Sequence, residues 1–287
     1  MSSVELCVLA SGSAGNCAAV RFDGRKLLLI DCGLGPRATA ERLAAVGASL
    51  DDVAAVCLTH LDRDHFQPAW GPTLARRDIR LCCPADAAER VAADLRGVER
   101  VRRILLPFED GRPFEPAPGL VVETTATAHD ADGSHALVVR HGGRGVGYAT
   151  DLGTVPPELV RRLCGVDVLA IEANYDPALQ RTSGRPDFVQ KRITGGRGHL
   201  SNAQALSAVK RVFNRCRRAG CSPPGHVVLL HRSQAANCPR LVRSLFGREP
   251  GLGRRLVLAE QDRPTAWLGG GPRQEQLSLA WGATASP

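Results

Sequence analysis

Seven residues constrain this chain more than any others: Thr59, His60, Leu61, Asp62, Arg63, Asp64 and His65, which follow directly on the apolar run Val53 to Leu58. Four side chains able to ligate a metal ion fall within six consecutive positions. In a continued strand His60, Asp62 and Asp64 would share one face and His65 would oppose them. A loop leaving the strand end can instead turn all four toward one point, so the stretch predicts a metal-binding turn at the rim of a sheet. A solvated polar turn would account for any two of them. It does not account for four when later histidines and carboxylates fall where the same site needs them.

Those later residues emerge on reading the chain in order. Val4 to Ala10 reads as a first strand, and the small-residue loop SGSAGNC follows at Ser11 to Cys17. Cys17 to Phe22 and Lys26 to Ile30 form a hairpin across Asp23 and Gly24, a favoured two-residue turn. Ala38 to Val46 has helical spacing, and Gly47 ends it. A second unit reads as strand Ile79 to Cys83, helix Ala85 to Leu95 and strand Arg103 to Pro107, with a loop between Gly111 and Gly119. Leu120 to Ala128 delivers His129; Ala136 to Arg140 and Gly145 to Ala149 pair across a turn, and the second delivers Asp151. Val166 to Ile171 ends in Glu172, Asn174 and Asp176. His199 precedes the longest helix, Ser201 to Arg217, with Ser201 as its cap. Val227 to Leu230 delivers His231. Ends of packed strands on one rim converge, so His60, His129, Asp151 and His231 can meet although they are far apart in sequence. Hairpins early and αβ units throughout predict an α/β fold of the four-layer αββα sandwich type.

The ordered motifs resemble the metallo-beta-lactamase superfamily. Its HxHxDH signature matches His60, Asp64 and His65, with Asp62 where the second histidine is usual. His129 matches the next ligand, Asp151 the bridging aspartate and His231 the closing histidine. The likeness spans roughly residues 4 to 260. SGSAGNC, LIDCG, EANYD, RITGGRGHLSN and the region Ser233 to Asn237 look closest to the YycJ/WalJ group, so the resemblance implies a DNA exonuclease acting from the 5′ end in DNA repair. Only 80 residues separate Asp151 from His231, too few for the additional clamp domain of the beta-CASP nucleases.

Carried over position by position, the resemblance puts one divalent ion on His60, Asp62 and His129 and a second on Asp64, His65 and His231, with Asp151 and a hydroxide bridging them. Three carboxylates and the hydroxide cancel the four positive charges of two such ions; histidine at position 62 would leave one net positive charge. A harder oxygen ligand at that position favours manganese or iron over zinc, so manganese is expected to support activity better. Asp64 and His199 are the expected catalytic residues, His199 as the acid for the leaving oxygen. Ser201 and Asn202 at a helix start can bind phosphate, and Lys191, Arg192 and Arg197 can grip a nucleic-acid backbone.

Charge and cysteine content bear on partners and compartment. The formal net charge is +8, compatible with an anionic partner. Only three of the 37 basic residues are lysine, a skew toward arginine that resembles a coding bias, so only the net excess is informative. Ten cysteines without a CxxC pair, and a start lacking the basic and apolar pattern of an export signal, predict reduced thiols in a cytoplasmic protein. No apolar run is long enough to cross a bilayer. Residues 1–268 are expected to form the catalytic domain and residues 269–287 a flexible tail. In that tail, Gln276, Leu277, Leu279 and Trp281 of QLSLAW resemble the peptide by which bacterial repair proteins dock on the sliding clamp. Three other readings compete with a nuclease: a small-molecule ester, thioester or lactam hydrolase on the same scaffold, a flavodiiron-type redox site suggested by Asp62 alone, and a non-catalytic clamp adaptor.

Overall fold

A computed structural model of the protein describes residues 3–98 and 101–269. The first sheet takes β1 (Glu5–Ala10), β2 (Cys17–Phe22), β3 (Lys26–Ile30), β4 (Val53–Cys57), β5 (Arg80–Pro84) and β6 (Leu105–Phe108). The second takes β7 (Phe114–Ala117), β8 (Leu120–Thr127), β9 (Ser134–His141), β10 (Arg144–Ala149), β11 (Val168–Glu172), β12 (His226–Leu230) and β13 (Leu256–Leu258). The last described strand, β14 (Leu268–Gly269), returns to the edge of the first sheet beside β1. The orders are β14-β1-β2-β3-β4-β5-β6 and β13-β12-β11-β10-β9-β8-β7.

Alternation along the strands sorts the core into layers. In β1, Leu6 and Val8 face the space between the sheets, where they meet Leu137, Tyr148 and Leu230 of the second sheet, whereas Cys7 and Leu9 face the opposite way. Because both faces of the central strands are covered, they are apolar almost throughout instead of alternating with polar residues. Leu43, Trp70, Leu74 and Val91 cover the outer face of the first sheet, and Leu159, Val209, Val212 and Phe246 cover that of the second. Each such side chain contributes about 1.5–3 kcal/mol by leaving water, and together they hold four layers, αββα, as the sequence predicts.

Direction matters more for the site than layer order. β3, β4, β5 and β6 run parallel to one another, as do β10, β11, β12 and β13. The carboxyl ends of parallel strands form the rim where ligands of open α/β sheets bind, and here two such rims face each other across the sandwich.

Several expected elements shift. The hairpin between β2 and β3 has a three-residue loop, with Asp23 and Gly24 at φ 44° and 78° and Arg25 added beyond the expected pair. Ala85–Ala87 is a 3-10 turn before a shorter helix, Ala88–Asp94, and Val101–Ile104 is helical where a strand start is expected. Strand β7 lies inside the expected loop between Gly111 and Gly119, because that segment pairs with β8 despite its prolines. The longest helix runs Asn202–Arg218, with Ser201 and Gln204 forming a reciprocal capping box. Gly269 belongs to β14, so the expected domain boundary at 268 falls inside a strand. The proposed clamp-docking residues Gln276, Leu277, Leu279 and Trp281 lie outside the described residues. No helix among the described residues is long and apolar enough to cross a membrane.

Candidate metal centre

Five imidazoles close a ring at the junction of the two rims. His60 lies 4.1 Å from His65 and 5.4 Å from His129 between ring centroids, His65 lies 6.0 Å from His231, and His199 completes the circuit 5.2 Å from both His129 and His231. The chain reaches this arrangement through sharp turns just past the strand ends. Asp31, Asp130, Asp151 and His231 all have left-handed backbones, with φ of 60°, 36°, 51° and 49°. Non-glycine residues there carry strain that the surrounding fold must hold.

In each of the four expected ligand histidines, Nδ1 is engaged by a fixed partner. His65 Nδ1 is 2.7 Å from Asp31 Oδ2, and His231 Nδ1 is 3.2 Å from Glu172 Oε1. His129 Nδ1 meets the Gly198 carbonyl at 3.1 Å, and His60 Nδ1 meets Thr59 Oγ1 at 2.9 Å. The Thr59 hydroxyl is itself spent as a donor to Asp31, at 3.0 Å, so it accepts from His60. This network places the N–H on Nδ1 and the lone pair on Nε2 in all four rings. The Nε2 atoms of His60 and His231 are buried and have no hydrogen-bond partner. An orphaned buried ring nitrogen is costly unless something binds it.

Carboxylates surround those nitrogens. Asp62 Oδ2 lies 3.7 Å from His60 Nε2 and 3.9 Å from His129 Nε2. Asp64 Oδ2 lies 3.7 Å from His65 Nε2 and 3.6 Å from His231 Nε2. Between the two groups stands Asp151, with Oδ2 at 3.0 Å from His65 Nε2 and Oδ1 at 3.7 Å from His129 Nε2. Such spacings suit ions seated between ligand atoms, and the donor set groups as His60, Asp62 and His129 on one side and Asp64, His65 and His231 on the other. The residues present therefore fit two divalent cations. Burial pushes the Asp151 carboxyl up, yet His231 and His65 hold it well below the usual carboxylate range. Asp62 is half exposed and raised by burial above its ordinary range.

Two residues carry this arrangement without having been assigned a role from sequence. Asp31, at the end of β3, is fully buried and accepts from both the backbone N–H and the hydroxyl of Thr59 as well as from His65. Glu172, the last residue of β11, is also fully buried; it holds His231, takes His199 Nδ1 at 2.7 Å and accepts from the backbone N–H groups of Leu152 and Leu200 at 3.0 Å each. Burial alone would lower the His199 pKa, but the Glu172 carboxylate raises it above the ordinary value. The phrases LIDCG and EANYD mark both carboxylates at strand ends, the one signal available in the sequence. Asn16, from the small-residue loop, donates to Asp64 Oδ2 at 3.2 Å.

The expected substrate-binding residues divide into two sets. Lys191 is exposed on a helix, Asp187–Thr194, that the sequence reading does not anticipate. Arg192 pairs with Asp130 and Arg197 donates to the Asp130 carbonyl at 2.7 Å, so both brace the loop that carries His129 while remaining exposed. Ser201 and Asn202 are a correction. Both are buried; the Ser201 hydroxyl is engaged with Gln204 in the capping box, and the Asn202 amide bonds Asn237 at 3.0 Å. Their side chains are occupied by the helix start and its neighbour.

Two mixed sheets flanked by helices, with a histidine–aspartate cluster across their rims, define a metallo-beta-lactamase-fold hydrolase. Residues 26–230 match the beta-lactamase superfamily domain, and the chain belongs to that superfamily. Among named relatives it is 25% identical over 240 residues to exodeoxyribonuclease YycJ of Bacillus anthracis, covering 84% of this chain and 86% of that protein. It is 26% identical over 215 residues to exodeoxyribonuclease WalJ of Streptococcus pneumoniae, covering 74% and 78%. The crystal structure of the metallo-beta-lactamase fold protein YhfI from Bacillus subtilis superposes with a TM-score of 0.64 at 15% identity, over 92% of this chain and 99% of that one.

Proposed function

We propose that this protein is a metal-dependent nuclease that removes nucleotides from the 5′ end of DNA and serves DNA repair in the cytoplasm. The observation that supports it most is the set of four histidines with Nδ1 tied back and Nε2 directed toward three carboxylates, the Nε2 atoms of His60 and His231 having no hydrogen-bond partner. His60, Asp62 and His129 would hold one divalent ion, Asp64, His65 and His231 the other, and Asp151 would bridge them. Bound there, the ions would supply Lewis-acid chemistry, acidifying a water and offsetting the charge of a phosphodiester.

The protein's own groups do the rest. Asp64, held by Asn16, is placed to orient the attacking water. His199 presents a partly exposed ring beside the cluster, with Nδ1 fixed by Glu172, and delivers the proton to the leaving oxygen from its other nitrogen. Exposed Lys191, Arg192 and Arg197 offer cationic contacts to the strand's phosphates. The exodeoxyribonuclease names of two relatives support DNA as substrate; the resemblance to their group supports the 5′ direction. All ten cysteines are free, in keeping with a reducing compartment. Asp62 favours manganese over zinc. Gln276, Leu277, Leu279 and Trp281 dock the protein on the sliding clamp, a reading that rests on sequence alone.

A panel of 5′- and 3′-end-labelled DNA and RNA, single-stranded and duplex, with manganese or zinc, tests this reading. It requires stepwise release from the 5′ end of DNA, faster with manganese. Preferential cleavage of RNA, or turnover of small esters with none of nucleic acid, would replace it. Deleting residues 274–287 should abolish clamp binding and spare hydrolysis of short DNA; unchanged clamp affinity removes the docking idea.

A further inference from the structure

A second cluster of metal-ligating side chains stands well away from the histidine ring. Cys164 follows the helix Pro157–Arg162, Cys216 lies in the last turns of Asn202–Arg218, and Cys221 lies just beyond that helix. Gly220, with φ 67°, turns the chain back so that the Cys221 N–H donates to the Cys216 carbonyl at 3.0 Å. Cys216 sits fourteen residues into a helix whose first turn adjoins the candidate metal centre, so the cluster lies about 20 Å from it at ~1.5 Å per residue.

All three sulfur atoms fall within 4.8 Å of one another, and those of Cys164 and Cys221 are 3.3 Å apart. Zinc bonds thiolate sulfur at about 2.3 Å, which separates two sulfurs of one tetrahedral ion by about 3.8 Å. The sulfur triangle therefore needs only small side-chain rotations to seat an ion. We propose that Cys164, Cys216 and Cys221 form a tri-thiolate site for a soft cation of the zinc class, separate from the two-ion histidine–aspartate centre.

A disulfide between Cys164 and Cys221 would use two of the sulfurs and leave the third, on fully buried Cys216, without a role. A metal ion uses all three. An all-sulfur donor set discriminates against manganese, magnesium and calcium, which favour oxygen, so the two centres select different metals. Cys164 and Cys221 are partly exposed, which leaves a fourth position open to water and makes the ion exchangeable. Three thiolates with one divalent ion carry a net negative charge, and the last turn of the helix that carries Cys216 supplies Arg215, Arg217 and Arg218 to offset it. Burial and the neighbouring Cys221 thiol push Cys164 up to about 12, and burial raises Cys216 as well, so binding of an ion to these thiols releases protons. The bound ion would tie the ends of two helices that cover the second sheet.

The test is titration of the full-length, fully reduced, metal-free protein with cobalt(II) and then zinc. A thiolate-to-cobalt charge-transfer band should appear and saturate within three equivalents, the other two ions filling the histidine–aspartate centre, and be displaced by zinc. Cys164→Ser and Cys221→Ser should each abolish the band, hold one ion fewer by elemental analysis and keep the wild-type circular dichroism, while Cys238→Ser leaves the band intact. Absence of the band in wild-type protein whose ten thiols all titrate as free overturns the proposal whatever the variants do. So does a band that survives in both variants. A Cys164–Cys221 disulfide that persists under the same reducing conditions also overturns it, assigning the pair to redox chemistry instead.

Discussion

Single side chains decide most of what the candidate centre can do, and the two buried carboxylates decide more than their silence in the sequence suggests. Glu172 orients His231 and His199 at once, so Glu172→Gln keeps the shape but removes the charge that fixes both rings. Losses in metal affinity or activity of about 10- to 100-fold follow from such changes elsewhere, and that range is expected here in kcat/KM and in metal titration; wild-type values in both would show that Glu172 merely fills space. Asp62→His should raise the ratio of zinc-supported to manganese-supported activity, measured on the same DNA. An unchanged ratio would separate metal choice from this ligand. The seven expected ligands each close a motif in a fixed order, which is what marks them in the sequence. Asp31 and Glu172 do not, since a lone carboxylate after a strand has no spacing that marks it, and only the folded network reveals which ring it serves. Ser201 and Asn202 misled for the opposite reason: a helix start is a legitimate phosphate site, but here its polar side chains are already bonded within the protein.

Among the elements, the strands were largely legible and several helices were not. Strands buried on both faces are continuous apolar runs between turn signals. By contrast Asp187–Thr194 has no buried residue at all, so no apolar stripe announces it. What places that helix is its junction with the centre: Gly198 supplies the carbonyl that orients His129, and a side chain at this position would collide with the carbonyls of Arg192 and Ile193. Gly198→Ala is therefore expected to weaken metal binding while leaving the sheets folded, a combination that metal titration beside circular dichroism would reveal. Ser201→Ala should cost about 1 kcal/mol of stability through loss of the cap, read from the denaturation midpoint at unchanged slope, with catalytic rate per folded molecule little altered. Loss of cleavage at full stability would instead place the Ser201 hydroxyl on the substrate.

For the whole molecule, the sandwich brings together residues from positions 31 to 231 because parallel strands in two sheets end on facing rims. That convergence is the reason the opening motif cannot work alone: it contributes His60, Asp62, Asp64 and His65, and the remaining ligands His129, Asp151 and His231 arrive from the ends of three other strands, β8, β10 and β12. If the net positive charge serves a nucleic-acid substrate, DNA affinity should fall steeply and linearly on a logarithmic scale as salt is raised; a flat dependence would favour a small neutral substrate. The most direct test of the central claim compares wild type with Asp151→Ala on 5′-end-labelled DNA in manganese, after both have been purified identically and shown to share the same circular dichroism. Asp151 lies between the two donor groups, so the variant is predicted to lose cleavage together with metal. Cleavage by the variant at the wild-type rate would contradict a hydrolytic centre at this site.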